Sequence, residues 1–197
     1  MLAVFFAVFN QVSGINAIIY YAPRIFTAAG LAKSSSLLST AGIGLVNLIF
    51  TMIAIGFIDK IGRKKLMLIG SFGLIVTLGL VSYSFLGKNS GTMVAIYLMV
   101  YIGFFAFSQG AVIWVFISEI FPNQVRAKGQ TLGSSTHWVM ATLIAFSFPY
   151  ITGKIGESWT FLFFTGMMVL QLIFVLKVMP ETKGKSLEQI ERTLTMH

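Results

Sequence analysis

The sequence predicts an all-α, polytopic membrane protein whose six transmembrane helices form a 3+3 inverted repeat. Three observations carry this expectation. Hydrophobic residues make up 56% of the chain and charged residues only 10%, against roughly 25% charged in soluble domains. Apolar stretches near the ~20 residues that cross a ~30 Å hydrocarbon core recur along the chain. The interruptions between them hold Gly, Ser, Lys and Pro in runs too short for a soluble domain.

The first stretch, residues 1–28, is apolar from Met1. It lacks a basic n-region and a small-residue cleavage site and outruns an h-region, so it reads as a spanning helix rather than a signal peptide. Its abrupt start is that expected of a chain beginning part-way through a larger unit. Further spans are expected at 36–57, 66–86, 92–118, 129–150 and 159–179. Each triplet, 1–86 and 92–179, is odd-numbered, so the second enters the membrane from the opposite side. Residues 1–180 form the membrane domain and 181–197 a cytoplasmic tail. In that tail Ser186 and Gln189 make a capping-box pattern, and Leu187, Ile190 and Leu194 fall on one face of a short amphipathic helix.

The net charge is +8, but its placement argues for lipid rather than nucleic acid. Lys60, Arg63, Lys64 and Lys65 follow the second span, Arg126 and Lys128 the fourth, and Lys177, Lys183, Lys185 and Arg192 surround the end of the sixth. Short loops enriched in cations mark the cytoplasmic side, so both termini are expected in the cytoplasm, with the chain crossing the cell membrane several times. With no cysteine in the chain, neither disulfides nor thiolate chemistry is available. No cofactor and no metal ligand set is expected, and with no paired carboxylates or nucleophile–base pair at a shared depth, neither is an enzyme.

Polar groups inside the spans need partners that hydrocarbon does not supply. Asn10, Ser13, Asn16 and Tyr20 are spaced to share one helix face. Gln11 joins that face only if the backbone changes pitch at Ser13–Gly14, a change that glycine permits. Asn47 lies mid-span in the second stretch, Trp114 deep in the fourth, and His137 and Trp138 in the fifth. Neutral amides that both donate and accept, beside indole faces, suit a neutral polyhydroxylated solute such as a sugar. A charged solute calls for a buried ionic partner, and no span centre holds one. At the helix ends, Asp59 and Glu119 share a side with Arg63 and Arg126, where pairing holds a bundle shut in one state and separates in the other.

These residues resemble the carboxy-terminal half of a sugar porter of the major facilitator superfamily. The opening stretch looks like the family's QQxSGxNxxxYY signature, matched by Gln11, Ser13, Gly14, Asn16, Tyr20 and Tyr21. DKIGRKK (59–65) resembles the family's D-x-x-G-R-[RK] loop, WVFISEIFPNQVRAKG (114–129) its Trp-to-Arg block, and PETKG (180–184) the end of its last span. The resemblance implies transport of a monosaccharide by alternating access. It implies sugar contacts for Gln11, Asn16, Tyr20, Asn47, Trp114, His137 and Trp138, and a cytoplasmic gate of Asp59, Arg63, Glu119 and Arg126. Asn10 stands where the family has the first Gln of its pair, one methylene shorter. Ala111 replaces a common Pro three residues before the Trp, and His137 replaces an Asn or Gln.

In the family an amino-terminal six-helix half supplies the other wall of the site and, in proton-coupled members, the acid that carries H+. The partners implied are therefore a small-molecule sugar, the bilayer, H+ as coupling ion if this is a symporter rather than a uniporter, and that missing half or a second copy of the chain. The rival expectation is a non-transporting fragment or a scaffold that binds a partner helix bundle.

Overall fold

The computed structural model describes residues 1–87 and 91–185. The amphipathic tail expected from Ser186 to Leu194, along with Lys88 and Arg192, lies outside the described residues. Every regular element within them is helical: α1 (Leu2–Val12), α2 (Ile15–Ala28), α3 (Lys33–Ile61), α4 (Arg63–Leu86), α5 (Gly91–Phe105), a π turn (Ala106–Gly110), α6 (Ala111–Glu119) and α7 (Arg126–Lys177). Five segments among them are long and apolar enough to cross a membrane: Leu2–Ala28, α3, α4, Gly91–Glu119 and α7.

The last of these, α7, has 52 residues, which at 1.5 Å per residue would run more than twice the thickness of the hydrocarbon core if straight. It is not straight. Gly156 adopts φ 83° and ψ 163°, outside the helical region. Phe148 and Phe164, on either side, stack with ring centroids 6.4 Å apart. Residues 126–155 and 157–177 are therefore two legs folded back on each other. The hydropathy pattern predicts a longer connection at 151–158, but both legs stay helical up to the turn.

The first span is interrupted where the polar spacing required it. Gly14 takes φ +86° between α1 and α2, a left-handed conformation that a Cβ disfavours. A Cβ there would also lie 2.6 Å from Cδ2 of Phe164, so the site needs glycine twice over. The interruption strips carbonyls of their helical partners, and side chains replace them. Ser13 Oγ donates to Asn10 O at 2.6 Å, and the buried Tyr101 hydroxyl donates to Ser13 O at 2.9 Å.

Two apolar clusters fill the interior. One surrounds Ile18, Leu74, Leu78, Leu98, Tyr101, Phe161 and Phe164. The other surrounds Phe6, Leu66, Ile113, Phe116 and Val175, toward the basic face. Along one side α4 and the second leg of α7 are joined by polar links as well. Ser82 Oγ donates to Ser158 O and Ser158 Oγ to Ser82 O, both at 2.8 Å, and Gln171 Nε2 donates to Ser71 Oγ at 3.2 Å. By contrast α3 buries only Ser36, Ile43, Ala54 and Ile58. Most of its apolar surface faces outward.

The fourth span replaces a proline break with a different irregularity. Ala111 leaves the backbone N–H in place, yet the residues just before it wind as a π turn from Ala106 to Gly110. Such a turn redirects the downstream helix, as a proline kink would, and π segments are frequent at functional sites. Trp114 and Glu119 both lie on the redirected helix α6.

Candidate functional site

The break at Ser13–Gly14 brings Gln11 into the polar cluster and makes it the hub. Its amide nitrogen donates to Asn10 Oδ1 at 3.1 Å and lies 3.1 Å from Nε2 and 3.3 Å from Nδ1 of His137. Which of the two ring nitrogens accepts is set by the imidazole tautomer. Its carbonyl accepts from Asn16 Nδ2 at 2.9 Å. Asn10 in turn reaches the main-chain carbonyl of Gln109 with a long 3.5 Å contact. Asn10 and Gln11 are almost fully buried, at 3% and 1% exposure, and Asn16 is half-buried.

Aromatic rings continue the cluster outward. Trp114 lies 4.8 Å from the His137 ring and Trp138 5.4 Å from it. Both indoles are substantially exposed, at 42% and 60%. Trp138 also borders an open groove of about 710 Å³ along the first leg of α7, lined by Gln130, Thr131, Ser134 and Ser135. The structure therefore gathers Asn10, Gln11, Asn16, Trp114, His137 and Trp138 into one connected group. Tyr20 is 58% exposed and Asn47 half-buried; neither has a hydrogen bond to this group among the described residues. Asn47 accepts from Thr51 Oγ1 on its own helix at 3.3 Å, which leaves its amide protons available.

At the basic face Arg63 is the centre. Its guanidinium forks onto Glu119, Nη2 to Oε1 at 2.6 Å and Nε to Oε2 at 3.1 Å, and Nη1 reaches Asp59 Oδ1 at 2.8 Å. The two pairs differ in weight. Asp59 is 78% exposed and contributes little through a screened surface contact, whereas the Arg63 and Glu119 side chains are 9% and 26% exposed. Arg126 differs from its expected place in the gate. It donates to Phe121 O at 3.4 Å and makes no ion pair among the described residues.

Its place beside Glu119 is taken by the PETKG segment, to which sequence reasoning assigned no contact. The buried Thr182 donates to Glu119 Oε2 at 2.6 Å. Glu181 accepts from the main-chain N–H groups of Arg63 at 2.9 Å and Lys64 at 3.2 Å. A carboxylate over the first turn of α4 satisfies donors the helix leaves unpaired and complements its dipole. Gly62, at φ +98°, allows this approach, since a Cβ there would sit 2.6 Å from Glu181 Oε2. The PETKG motif contains both residues; only the fold shows what they touch.

Arg63→Ala is expected to open this face. It removes a forked charge-assisted pair and leaves Glu119 with Thr182 alone, at a cost of about 2–3 kcal/mol. The chain has no cysteine, so a single Ser118→Cys gives an unambiguous label. Maleimide should react with it several-fold faster in the Arg63→Ala background. Equal rates would mean that the pair does not close this face.

Comparisons with known proteins identify the family. The family model described as "Sugar (and other) transporter" matches residues 1–194. The chain is 40% identical over 200 residues to the probable metabolite transport protein CsbC of Bacillus subtilis, covering 98% of this chain and 43% of that protein. It is 37% identical over 192 residues to the glucose transporter GlcP of Staphylococcus epidermidis, covering 96% and 43%. Among solved structures it superposes on the major facilitator superfamily proton:xylose symporter XylE bound to 6-bromo-6-deoxy-D-glucose. That match has a TM-score of 0.89 and 33% identity, covering 98% of this chain and 42% of the other. The chain thus spans about two fifths of the length of these relatives. With an all-helical major facilitator architecture, membrane-crossing helices and a family match over nearly its whole length, this chain belongs to the sugar (and other) transporter family, whose members are transporters and not enzymes.

Proposed function

We propose that this chain is the carboxy-terminal half of a monosaccharide transporter, moving a neutral hexose or pentose across the cell membrane by alternating access. The observation that carries the reading is the uncharged Gln11 hub, buried at a helix break and opening between two exposed indole faces. A sugar ring presents hydroxyls at its rim and C–H groups on its faces. Amides answer the first and indoles the second. Asn10, Gln11, Asn16, Asn47, His137 and Tyr20 supply the polar contacts in this reading, and Trp114 and Trp138 the stacking surface. The sugar bound to XylE and the glucose transport named for GlcP point to the same solute class.

The exposed Thr131, Ser135 and Trp138, with the half-buried Gln130, belong in this reading to the wall that meets a complementary six-helix half, which hydrocarbon would not satisfy. Asp59, Arg63 and Glu119 close the cytoplasmic side, with both termini on that side; Arg126 joins them in a state other than the present one. H+ coupling, where it operates, draws its acid from the complementary half.

The test is binding and uptake of labelled D-glucose and D-xylose by proteoliposomes, made with the chain alone and with a co-expressed amino-terminal half from a relative. Saturable binding by the chain is expected, uptake with both halves, and loss of each on Asn16→Ala by about ten-fold or more. A wild-type chain that binds neither sugar in either preparation would favour a membrane scaffold instead.

A further inference from the structure

A chain of side-chain amides continues from the candidate site into the dry interior, through residues that the proposed contacts do not use. Beyond Asn10 it passes to Gln109 in the π turn, then to Gln171 on the second leg of α7, then to Ser71 on α4. Gln109 and Gln171 are each 1% exposed and Ser71 is fully buried. Hydrogen-bond direction along this chain is fixed by its far end. Ser71 spends its single proton on Met67 O at 2.7 Å, so toward Gln171 it only accepts. Gln171 must then present its NH2 to Ser71 and its carbonyl to Gln109, which donates to it at 3.0 Å.

The same logic settles which way Gln109 faces. Its NH2 points to Gln171, so its carbonyl Oε1 points away, and this Oε1 is a buried side-chain atom without a hydrogen-bond partner among the described residues. A buried acceptor is left unsatisfied only where something else is gained. On the other side, Asn10 accepts from Gln11 through Oδ1, so its NH2 is the end that faces Gln109. That NH2 now reaches the Gln109 main-chain oxygen at 3.5 Å, the long limit of a hydrogen bond. An under-used donor and an orphaned acceptor thus belong to neighbouring residues.

We propose that Gln109 is a positioning residue of the candidate sugar site, acting through Asn10: its main-chain and side-chain oxygens are alternative acceptors for the Asn10 amide. The inference rests on the sugar-transport reading of the Gln11 hub. When a sugar hydroxyl engages Gln11, the Gln11 to Asn10 bond loosens, and Asn10 turns from the main-chain oxygen to Oε1. Gln171 and Ser71 hold Gln109 still while this happens. Because Gln109 lies in the π turn that leads into α6, the exchange links occupancy of the site to the segment carrying Trp114 and Glu119.

The experiment uses the full chain in nanodiscs with selectively 15N-labelled asparagine side chains. Gln109→Met is expected to reduce the shift that added D-glucose or D-xylose causes in the Asn10 NH2 resonances, assigned by their loss in Asn10→Ala, relative to wild type. It is also expected to weaken D-glucose or D-xylose binding roughly ten-fold, with the Asn10→Ala/Gln109→Met double variant no weaker than Asn10→Ala alone. Gln109→Asn, which keeps an amide but withdraws Oε1 by one methylene, should act in the same direction and replaces Gln109→Met if that variant does not fold. Equal sugar-induced shifts in wild type and Gln109→Met, or losses that add in the double variant, would overturn the proposal. If the wild-type chain binds neither sugar, the functional reading falls and this proposal with it, whereas sugar binding with equal shifts overturns the proposal alone.

Discussion

Gly14→Val is expected to be the most damaging single substitution in the chain. Two independent costs meet at this position. A β-branched residue at φ +86° is forced into left-handed backbone, about 1–2 kcal/mol or more. Its Cβ would also stand 2.6 Å from Phe164 Cδ2. Phe164 has little freedom to withdraw, because its ring is packed against Phe148 and Phe161 within 6.4 Å between centroids, and overpacking adds roughly 1–3 kcal/mol. The sum, about 2–5 kcal/mol, is a large share of a typical folding free energy.

The measurable result is a fall of several degrees in apparent melting temperature for Gly14→Ala, and aggregation or loss of folded yield for Gly14→Val. Combining Gly14→Ala with Phe164→Leu separates the two costs: partial recovery means the clash dominates, none means the backbone does. A Gly14→Val protein as stable as wild type would show that the helix break is not where the structure places it.

Gln11→Leu should have the largest effect on ligand binding. The substitution keeps about the same volume and removes three hydrogen bonds, leaving Asn10 Oδ1, Asn16 Nδ2 and the His137 ring without their partner. Each buried group so orphaned costs about 1–3 kcal/mol. Asn16 is half-buried and recovers part of its loss from water, whereas Asn10 does not. The net expectation is a loss of sugar affinity of about 100-fold or more, an order of magnitude beyond that of Asn16→Ala. Tyr20→Phe is the internal contrast. At 58% exposure and without a hydrogen bond to the cluster, its hydroxyl should matter several-fold at most. Isothermal titration of all three with D-glucose and D-xylose gives the ranking, and Tyr20→Phe as severe as Gln11→Leu would reassign the centre of the site.

The polar cluster shows how far composition and spacing reach. The i, i+3 and i+4 pattern put Asn10, Asn16 and Tyr20 on one face and left Gln11 off it, unless Ser13–Gly14 broke the helix. The structure has that break, and Gln11 becomes the hub. Spacing resolves neighbours within a helix but is silent about register between helices. So nothing local told that Gln11 meets His137, 126 positions away, or that Arg63 meets Glu119 and not Arg126 meets either acid.

Gln109 and Gln171 were legible only as polar residues in apolar spans. Glu181 and Thr182 sit in the PETKG motif, but the direction in which the chain returns after α7 decides that they cap α4 and hold Glu119. The connection within α7 was overestimated for a related reason. Helix termini at a membrane surface are set by packing and capping, not by where hydrophobicity ends.

By itself, the sequence determined the membrane class, the approximate positions of the spans, the uncharged character of the candidate site and the concentration of cations on one face. All of these follow from residue-by-residue transfer free energy and short-range periodicity. The tertiary structure alone decided which amides share protons, which carboxylate takes Arg63, how the π turn stands in for a proline, and where a buried acceptor is left over. Those depend on distances between helices, and such distances are fixed only when the whole bundle packs.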